Sequence, residues 1–335
     1  MQKSDYPKGS VSRLSIDSDV LRSNRLGDPS RRDVDVYIPA NHDGAGLPLL
    51  VDLVGFTAGG PLHTAWKAFF ENVPERLDRL IATGQMPPVA VAFPDCFTSL
   101  GGNQYVNSSV VGRWEDFLID EMLPAVETRF GCGGTGRRGV FGKSSGGYGA
   151  FSHAFRRPDI WAAAASHSGD AGFDLMAADF PMVLRALARH GLSIENWFRA
   201  YEARQKHADE DIPVLLVLAQ AASYDPDPDL EVFKGLRLPV DLETCELIED
   251  RWKNWMACDP VQLAKTHGHN IGKLKAFYLD CGTVDQYNLL YGNRRIHRTL
   301  KELGIEHTYE EFEDNHNSVD YRMDVSLPFL AKALQ

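Results

Sequence analysis

The chain has 335 residues, of which 44% are hydrophobic and 24% charged, the balance of a globular protein built as one large α/β domain or two smaller ones. Its formal net charge of −11 excludes the basic surface that a nucleic-acid partner requires. Five widely spaced cysteines without a C-x-x-C pair, no apolar leader in MQKSDYPKGSVSRLSIDSD and no run of about 18 apolar residues make the expected protein cytoplasmic, with no membrane span.

Taken in chain order, residues 11 to 40 predict an antiparallel pair, since VSRLSIDSDVL and DVDVYIPA alternate around the turn LGDPSRR. LPLLVDLVG (47–55) and PPVAVAFPD (87–95) are uninterrupted apolar runs, with a helical pattern over 63 to 83 between them. Such runs separated by helices predict a mostly parallel sheet covered on both faces. GRWEDFLIDEMLPAVETRFG places Trp114, Phe117, Leu118, Met122, Val126 and Phe130 on one helical face, with Gly131 ending the helix and Pro124 able to bend it. RRGVFG is a short strand, a helix runs from the turn after it to about Arg157, and WAAAASHSG (161–169) is the next strand.

Residues 170 to 273 are less regular. FPMVLRALARHG and IENWFRAYEARQK are helical, whereas IPVLLVLAQAASY is ambiguous. KLKAFYLDCG (273–282) resumes the sheet, followed by a helix over 287 to 303, the strand HTYEEFE and a last helix, SLPFLAKAL. With no flexible linker at either side, the expectation is a single domain over 1–335 with a cap-like insertion at about 170–273.

GVFGKSSGGYGA (139–150) admits two readings. A phosphate loop, G-x-x-x-x-G-K-[ST], needs glycine at position 137, which is Arg137, and it would put Val140 and Phe141 inside the anion-wrapping loop. A G-x-S-x-G elbow instead runs a strand into a sharp turn and then a helix. That turn demands small residues two before and two after the nucleophile. Ser144 satisfies this with Gly142 and Gly146, whereas Ser145 would have the bulky Lys143 there. Ser144 is therefore the candidate nucleophile, and the Ser145 backbone N–H a candidate oxyanion donor.

A serine hydroxyl needs a base, and the base needs an orienting acid. In a parallel α/β sheet these sit past the carboxyl ends of strands, and with this elbow in the order Ser, acid, His. Asp280 ends KLKAFYLD and reads as a strand-end carboxylate bonding backbone, while Asp285 in GTVDQY reaches sideways and is preferred. His307 begins the last strand, at the wrong end, and His316 in EDNHNS follows it. His167 in SHSG is the best competitor but precedes the acid, and the pair His267–His269 lacks a further ligand set. The Phe56 N–H in LLVDLVGFTAGG is the second oxyanion candidate.

DVDVYIPA, VAFPD with SLGGNQYVNSS, RWEDFLIDEMLPAVETRF, GKSSGGYGA, DCGTVD and EDNHNS together resemble the esterase group of α/β-hydrolases that includes S-formylglutathione hydrolases, enterochelin esterases, feruloyl and acetylxylan esterases and mycolyltransferases. The resemblance implies the α/β-hydrolase fold and Ser144, Asp285 and His316 as a catalytic triad, and it adds Gln104 and Tyr105 as pocket candidates. Val54 before Gly55, where many members carry His, and Lys143 and Ser145 around the serine depart from the family pattern.

The expected function is a serine carboxylesterase hydrolysing short-chain or aryl esters through an acyl-enzyme, with no cofactor and no metal. A small-molecule ester is the expected partner, and a homodimer is left open. Trp197, Phe198, Tyr224, Trp252 and Trp255 of the insertion are candidates for an acyl or aryl pocket, with simple core packing as the alternative. An S-formylglutathione-type thioesterase, an acyltransferase and a catalytically inactive hydrolase-fold binding module are the rival readings.

Overall fold

The computed structural model describes residues 5–230 and 233–335. Alternation drives the first hairpin: β1 (Ser10–Asp17) pairs antiparallel with β2 (Arg31–Ile38). β1 is an edge strand, largely exposed, and its charges face opposite charges across the ladder, with Arg13 Nε 2.7 Å from Asp35 Oδ1. A charged edge of this kind discourages pairing with another chain.

The apolar runs become the buried strands β3 (Leu49–Leu53) and β4 (Ala90–Pro94), joined by α1 (Val73–Ala82). The helical stretch expected over 63–83 is shorter than its pattern suggests. Asn72 accepts from the Glu75 N–H while Glu75 accepts from the Asn72 N–H, a capping box that starts the helix only at Val73. The next helix, α2 (114–130), absorbs Pro124 through a π-helical stretch at Phe117–Met122, which re-spaces the hydrogen bonds where proline supplies no N–H. Gly131, at φ 65°, caps it as expected.

β5 (Arg138–Lys143) leads into α3 (Ser145–Arg156), and β6 (Ala163–His167) follows. Between β6 and β7 (Ala276–Gly282) the described residues form five helices of eight or more residues: α4 (Phe180–Ala188), α5 (Ile194–Glu202), α6 (Asp211–Tyr224), α7 (Glu249–Cys258) and α8 (Pro260–Ile271). The ambiguous IPVLLVLAQAASY lies in α6. It is buried almost all round, so it carries no polar stripe to mark the helical period. α8 escaped sequence reading, although Asp259 caps it by accepting from the Val261 N–H and Pro260 opens its first turn. α9 (Leu289–Glu302), β8 (Thr308–Phe312) and α10 (Met323–Ala333) complete the chain.

The order of the eight-stranded sheet is β1-β2-β4-β3-β5-β6-β7-β8, parallel from β4 to β8, with antiparallel pairing at β1–β2 and β2–β4. Alternate strand residues feed two cores. Leu50, Val91, Phe141, Ala165 and Tyr278 pack with α1 and α10 on one face. Val51, Ala92, Val140, Ala164 and Phe277 pack with α2, α3 and α8 on the other. This is the α/β-hydrolase architecture: a mostly parallel sheet with helices on both faces, which aligns the carboxyl ends of β3, β5, β6, β7 and β8 along one rim.

Candidate active site

The turn between β5 and α3 carries the residue with the sharpest local constraint at that rim. Ser144 adopts φ 57° and ψ −124°, a conformation that costs an L-residue energy and persists only where its surroundings hold it. Those surroundings are backbone. The Ser144 N–H donates to the His167 carbonyl at 3.0 Å, and the Ser144 carbonyl accepts the first helical bond from Tyr148 at 2.8 Å. Leu53 runs so close that a Cβ added at Gly146 would lie 1.7 Å from its carbonyl oxygen, and one at Gly142 would lie 2.5 Å from the Gly146 carbonyl carbon. The small-residue rule that selected Ser144 over Ser145 thus has a steric origin in β3 and in the turn itself.

Gly55 lies beside this turn: a Cβ there would sit 3.6 Å from the Ser144 Cβ. Among the described residues, neither the Phe56 N–H nor the Ser145 N–H has a protein acceptor. The loop holding Phe56 is fixed from below, where the buried Tyr105 hydroxyl donates to the Val54 carbonyl at 2.6 Å. Tyr105 is fixed in turn by His153. Trp161 Nε1 donates to His153 Nδ1 at 3.0 Å, so Nε2 carries the proton and donates to the Tyr105 carbonyl, also at 3.0 Å. Burial lowers the His153 pKa, which keeps the ring in this neutral form.

Past the ends of β7 and β8, His316 Nδ1 meets Asp285 Oδ2 at 2.8 Å, with both residues buried. The other carboxylate oxygen, Asp285 Oδ1, accepts the Tyr287 N–H at 2.9 Å, and the His316 N–H donates to Gln286 Oε1 at 3.0 Å. The Tyr287 ring stands edge-on to the imidazole, 4.9 Å between centroids. An imidazole held this way through Nδ1 presents Nε2 for proton transfer.

Asp280 and His167, the less favoured acid and base, bond to each other instead. His167 Nδ1 lies 2.8 Å from Asp280 Oδ1 and His167 Nε2 lies 2.8 Å from Ser326 Oγ. This second Ser–His–Asp set is sealed, with Ser326 and Asp280 at 0% exposure, so no substrate reaches it. Asp280 also takes Arg322 Nε and the Tyr278 hydroxyl, each at 2.8 Å.

The pocket candidates separate by depth. Gln104 is buried and donates through Nε2 to the Ser145 hydroxyl at 3.2 Å, while its Oε1 accepts from the Tyr224 hydroxyl at 3.0 Å. Trp255 stands one layer behind, edge-on to Tyr224 at 5.4 Å. Trp252 packs on Phe180. Trp197 stacks on Tyr201 at 5.4 Å and Phe198 on Phe233, within the helical segment's own packing. Tyr105 serves the loop under Phe56 rather than an open wall. His267 and His269 are exposed on α8, and the described residues contain no group of three or more His, Cys, Asp or Glu that could hold a metal ion.

Sequence reading passed over Asp170, three residues beyond the end of β6. It is 4% exposed, and its Oδ2 accepts the Ser145 hydroxyl at 3.2 Å. Burial pushes its carboxyl up to about 6, against the opposing pull of His316 and of the Ser145 and Ser144 hydroxyls. The signal was available: an acid after SHSG, at the carboxyl end of a parallel strand, obeys the rule that found Asp285. Asp170 also satisfies the order Ser, acid, His; restricting the acid to the end of KLKAFYLD removed it from view.

Comparison with known proteins places this geometry in context. The model of the family described as "Putative esterase" matches residues 23–327. No curated protein matches the sequence. Among solved structures, a ferulic acid esterase superimposes with TM-score 0.63 at 18% identity, covering 98% of this chain and 100% of that one. FphF, a fluorophosphonate-binding serine hydrolase from Staphylococcus aureus, gives 0.60 at 13% identity over 97% and 99% of the two chains. An S-formylglutathione hydrolase from Agrobacterium tumefaciens gives 0.58 at 16% over 100% and 99%.

Proposed function

The chain belongs to the "Putative esterase" family of hydrolases, and from that premise we propose that it is a serine carboxylesterase acting on short-chain or aryl esters through an acyl-enzyme. Ser144 attacks the ester carbonyl as His316 Nε2 takes its proton. Asp285 holds the imidazole through Nδ1 and stabilises its charged form. The Phe56 and Ser145 N–H groups receive the oxyanion, for which they have the advantage of carrying no competing protein acceptor. The imidazolium then protonates the leaving alcohol, and His316 activates a water that releases the acid.

The observation that carries the reading is the constrained φ of Ser144 at the strand–helix turn, beside two free N–H groups and on the same sheet rim as the buried His316–Asp285 pair. In this reading residues 1–335 form a single domain, with the helices between β6 and β7 as a cap whose Tyr224 reaches the site through Gln104. Five free cysteines favour the cytoplasm as the compartment.

A fluorophosphonate probe tests the assignment. Native protein is expected to be labelled and Ser144→Ala not, with kcat on p-nitrophenyl butyrate falling by roughly 10⁴-fold or more in the variant. Labelling that survives Ser144→Ala would sink it. Turnover of S-formylglutathione above every oxygen ester in a chain-length series would move the assignment to thioesterase, and product partitioning into added alcohol would move it to acyltransferase.

A further inference from the structure

Asp170 is a buried carboxyl with no cationic partner, set against the proposed nucleophile. Its N–H donates to the Ser144 carbonyl at 3.3 Å, and among the described residues no Arg, Lys or His forms an ion pair with it. The groups facing it come from four loops: Ser144 and Ser145 after β5, His316 after β8, Asp285 after β7, and Gln104 after β4 through the Ser145 hydroxyl. A second negative charge at this position, beside Asp285 and close to where an oxyanion develops, opposes hydrolysis of a plain ester. Burying it also carries a desolvation cost.

The protein nevertheless builds a directed relay that ends on this carboxyl. Tyr224, fixed by stacking on Phe173 at 5.1 Å, gives its hydroxyl proton to Gln104 Oε1. Gln104 Nε2 donates to Ser145 Oγ, and Ser145, already an acceptor, sends its only proton to Asp170 Oδ2. Three buried side chains from α6, the loop after β4 and the head of α3 thus orient one acceptor toward the site. That construction makes sense if the missing counterpart arrives with the substrate.

We propose that Asp170 is a specificity-determining carboxylate and that the preferred esters carry a hydrogen-bond donor, an ammonium or a hydroxyl, in the acyl or alcohol portion close to the scissile carbonyl. The proposal rests on the reading of Ser144 as nucleophile. A donor-bearing substrate supplies the charge complement that the apo site lacks, and a charge-assisted bond of this kind discriminates by about 10- to 100-fold.

Matched esters test it. On the acyl side, p-nitrophenyl propanoate is compared with the p-nitrophenyl esters of lactate and alanine; on the alcohol side, ethyl 3-phenylpropanoate is compared with its 2-hydroxyethyl and 2-aminoethyl counterparts. Each is measured with wild type, Asp170→Asn and Asp170→Leu, and each donor-to-plain ratio of kcat/KM is normalised to spontaneous hydrolysis. Wild type is expected to favour the donor on one side by about 10-fold or more, mainly through KM. Asp170→Asn should lose the ammonium preference and Asp170→Leu the hydroxyl preference as well. Equal losses on plain and donor-bearing esters would mark Asp170 as merely structural, and a wild type that turns over all esters with ratios near one would overturn the proposal outright. A wild type that neither hydrolyses any ester nor takes the fluorophosphonate label is a separate result, which removes the serine-esterase reading itself.

Discussion

The role proposed for Asp170 and its energetic cost are separated by pH. Its carboxyl is raised from 3.8 to about 6, so the folded state favours the protonated form relative to the unfolded chain. Stability from this group is therefore complete below about pH 4 and lost as pH rises through about 6. A shift of this size corresponds to about 3 kcal/mol near neutrality. Asn in its place keeps an acceptor for the Ser145 hydroxyl and has no ionisation to suppress. Asp170→Asn is accordingly expected to unfold at higher temperature than wild type at pH 8 and at the same temperature at pH 4, read by differential scanning calorimetry. A variant less stable at both pH values would mean that the carboxylate is compensated by something other than a substrate. Residues kept at the expense of stability mark functional positions.

At the level of elements, the loop carrying Phe56 depends on a chain of support that runs Trp161, His153, Tyr105, Val54. Tyr105→Phe removes the hydroxyl that holds the Val54 carbonyl and leaves that carbonyl buried without its donor, at a cost of about 1–3 kcal/mol. If the Phe56 N–H receives the oxyanion, kcat should fall roughly 10-fold with KM nearly unchanged, because the loop acts on the transition state more than on bound ester. A change confined to KM would place Tyr105 in substrate binding instead. The contrast between Phe56 and Tyr105 also shows what sequence can carry. The core strands, the elbow and the position of His316 past the last strand follow from apolar runs, glycine spacing and the rule for strand ends, all of which are local patterns. Tyr105 reads as a pocket candidate by resemblance and its supporting role does not show, because its partners are 51 and 48 residues away and one is a backbone carbonyl. The same limit explains α6, whose burial on every side erased its period, and Asp170, whose meaning lies in a relay from three separate segments.

Across the whole molecule, three His–Asp pairs among the described residues form on or beside strands of the sheet, His63–Asp52, His167–Asp280 and His316–Asp285, and the last two do different work. Asp280 joins β6 through His167, β7 through Tyr278, and the segment before α10 through Arg322, while His167 reaches Ser326 inside α10. His167 and Arg322 hold the Asp280 carboxyl below its ordinary value despite its burial, so its contribution to stability is present above about pH 4 and lost in stronger acid. Breaking such a buried pair leaves uncompensated charge and costs about 3–5 kcal/mol, a drop of roughly 4–7 °C in a chain of this size. Asp285 is tied to His316 and to the Tyr287 N–H in the loops after β8 and β7, and to the Cys281 thiol at the end of β7. Asp280→Asn is therefore expected to lower Tm by that amount while the protein, kept below its transition, still reacts with a fluorophosphonate. Asp285→Asn also breaks a buried pair, but its largest effect is expected in kcat, which falls by about 10⁴-fold because the imidazole loses its tautomer and its counter-charge. Each substitution thus reports on a different quantity. If Asp280→Asn abolished labelling in fully folded protein while Asp285→Asn reacted normally, the orienting acid would be the one at the end of β7 rather than the one in the loop beyond it, and His167 would have to be reconsidered as the base, buried as it is.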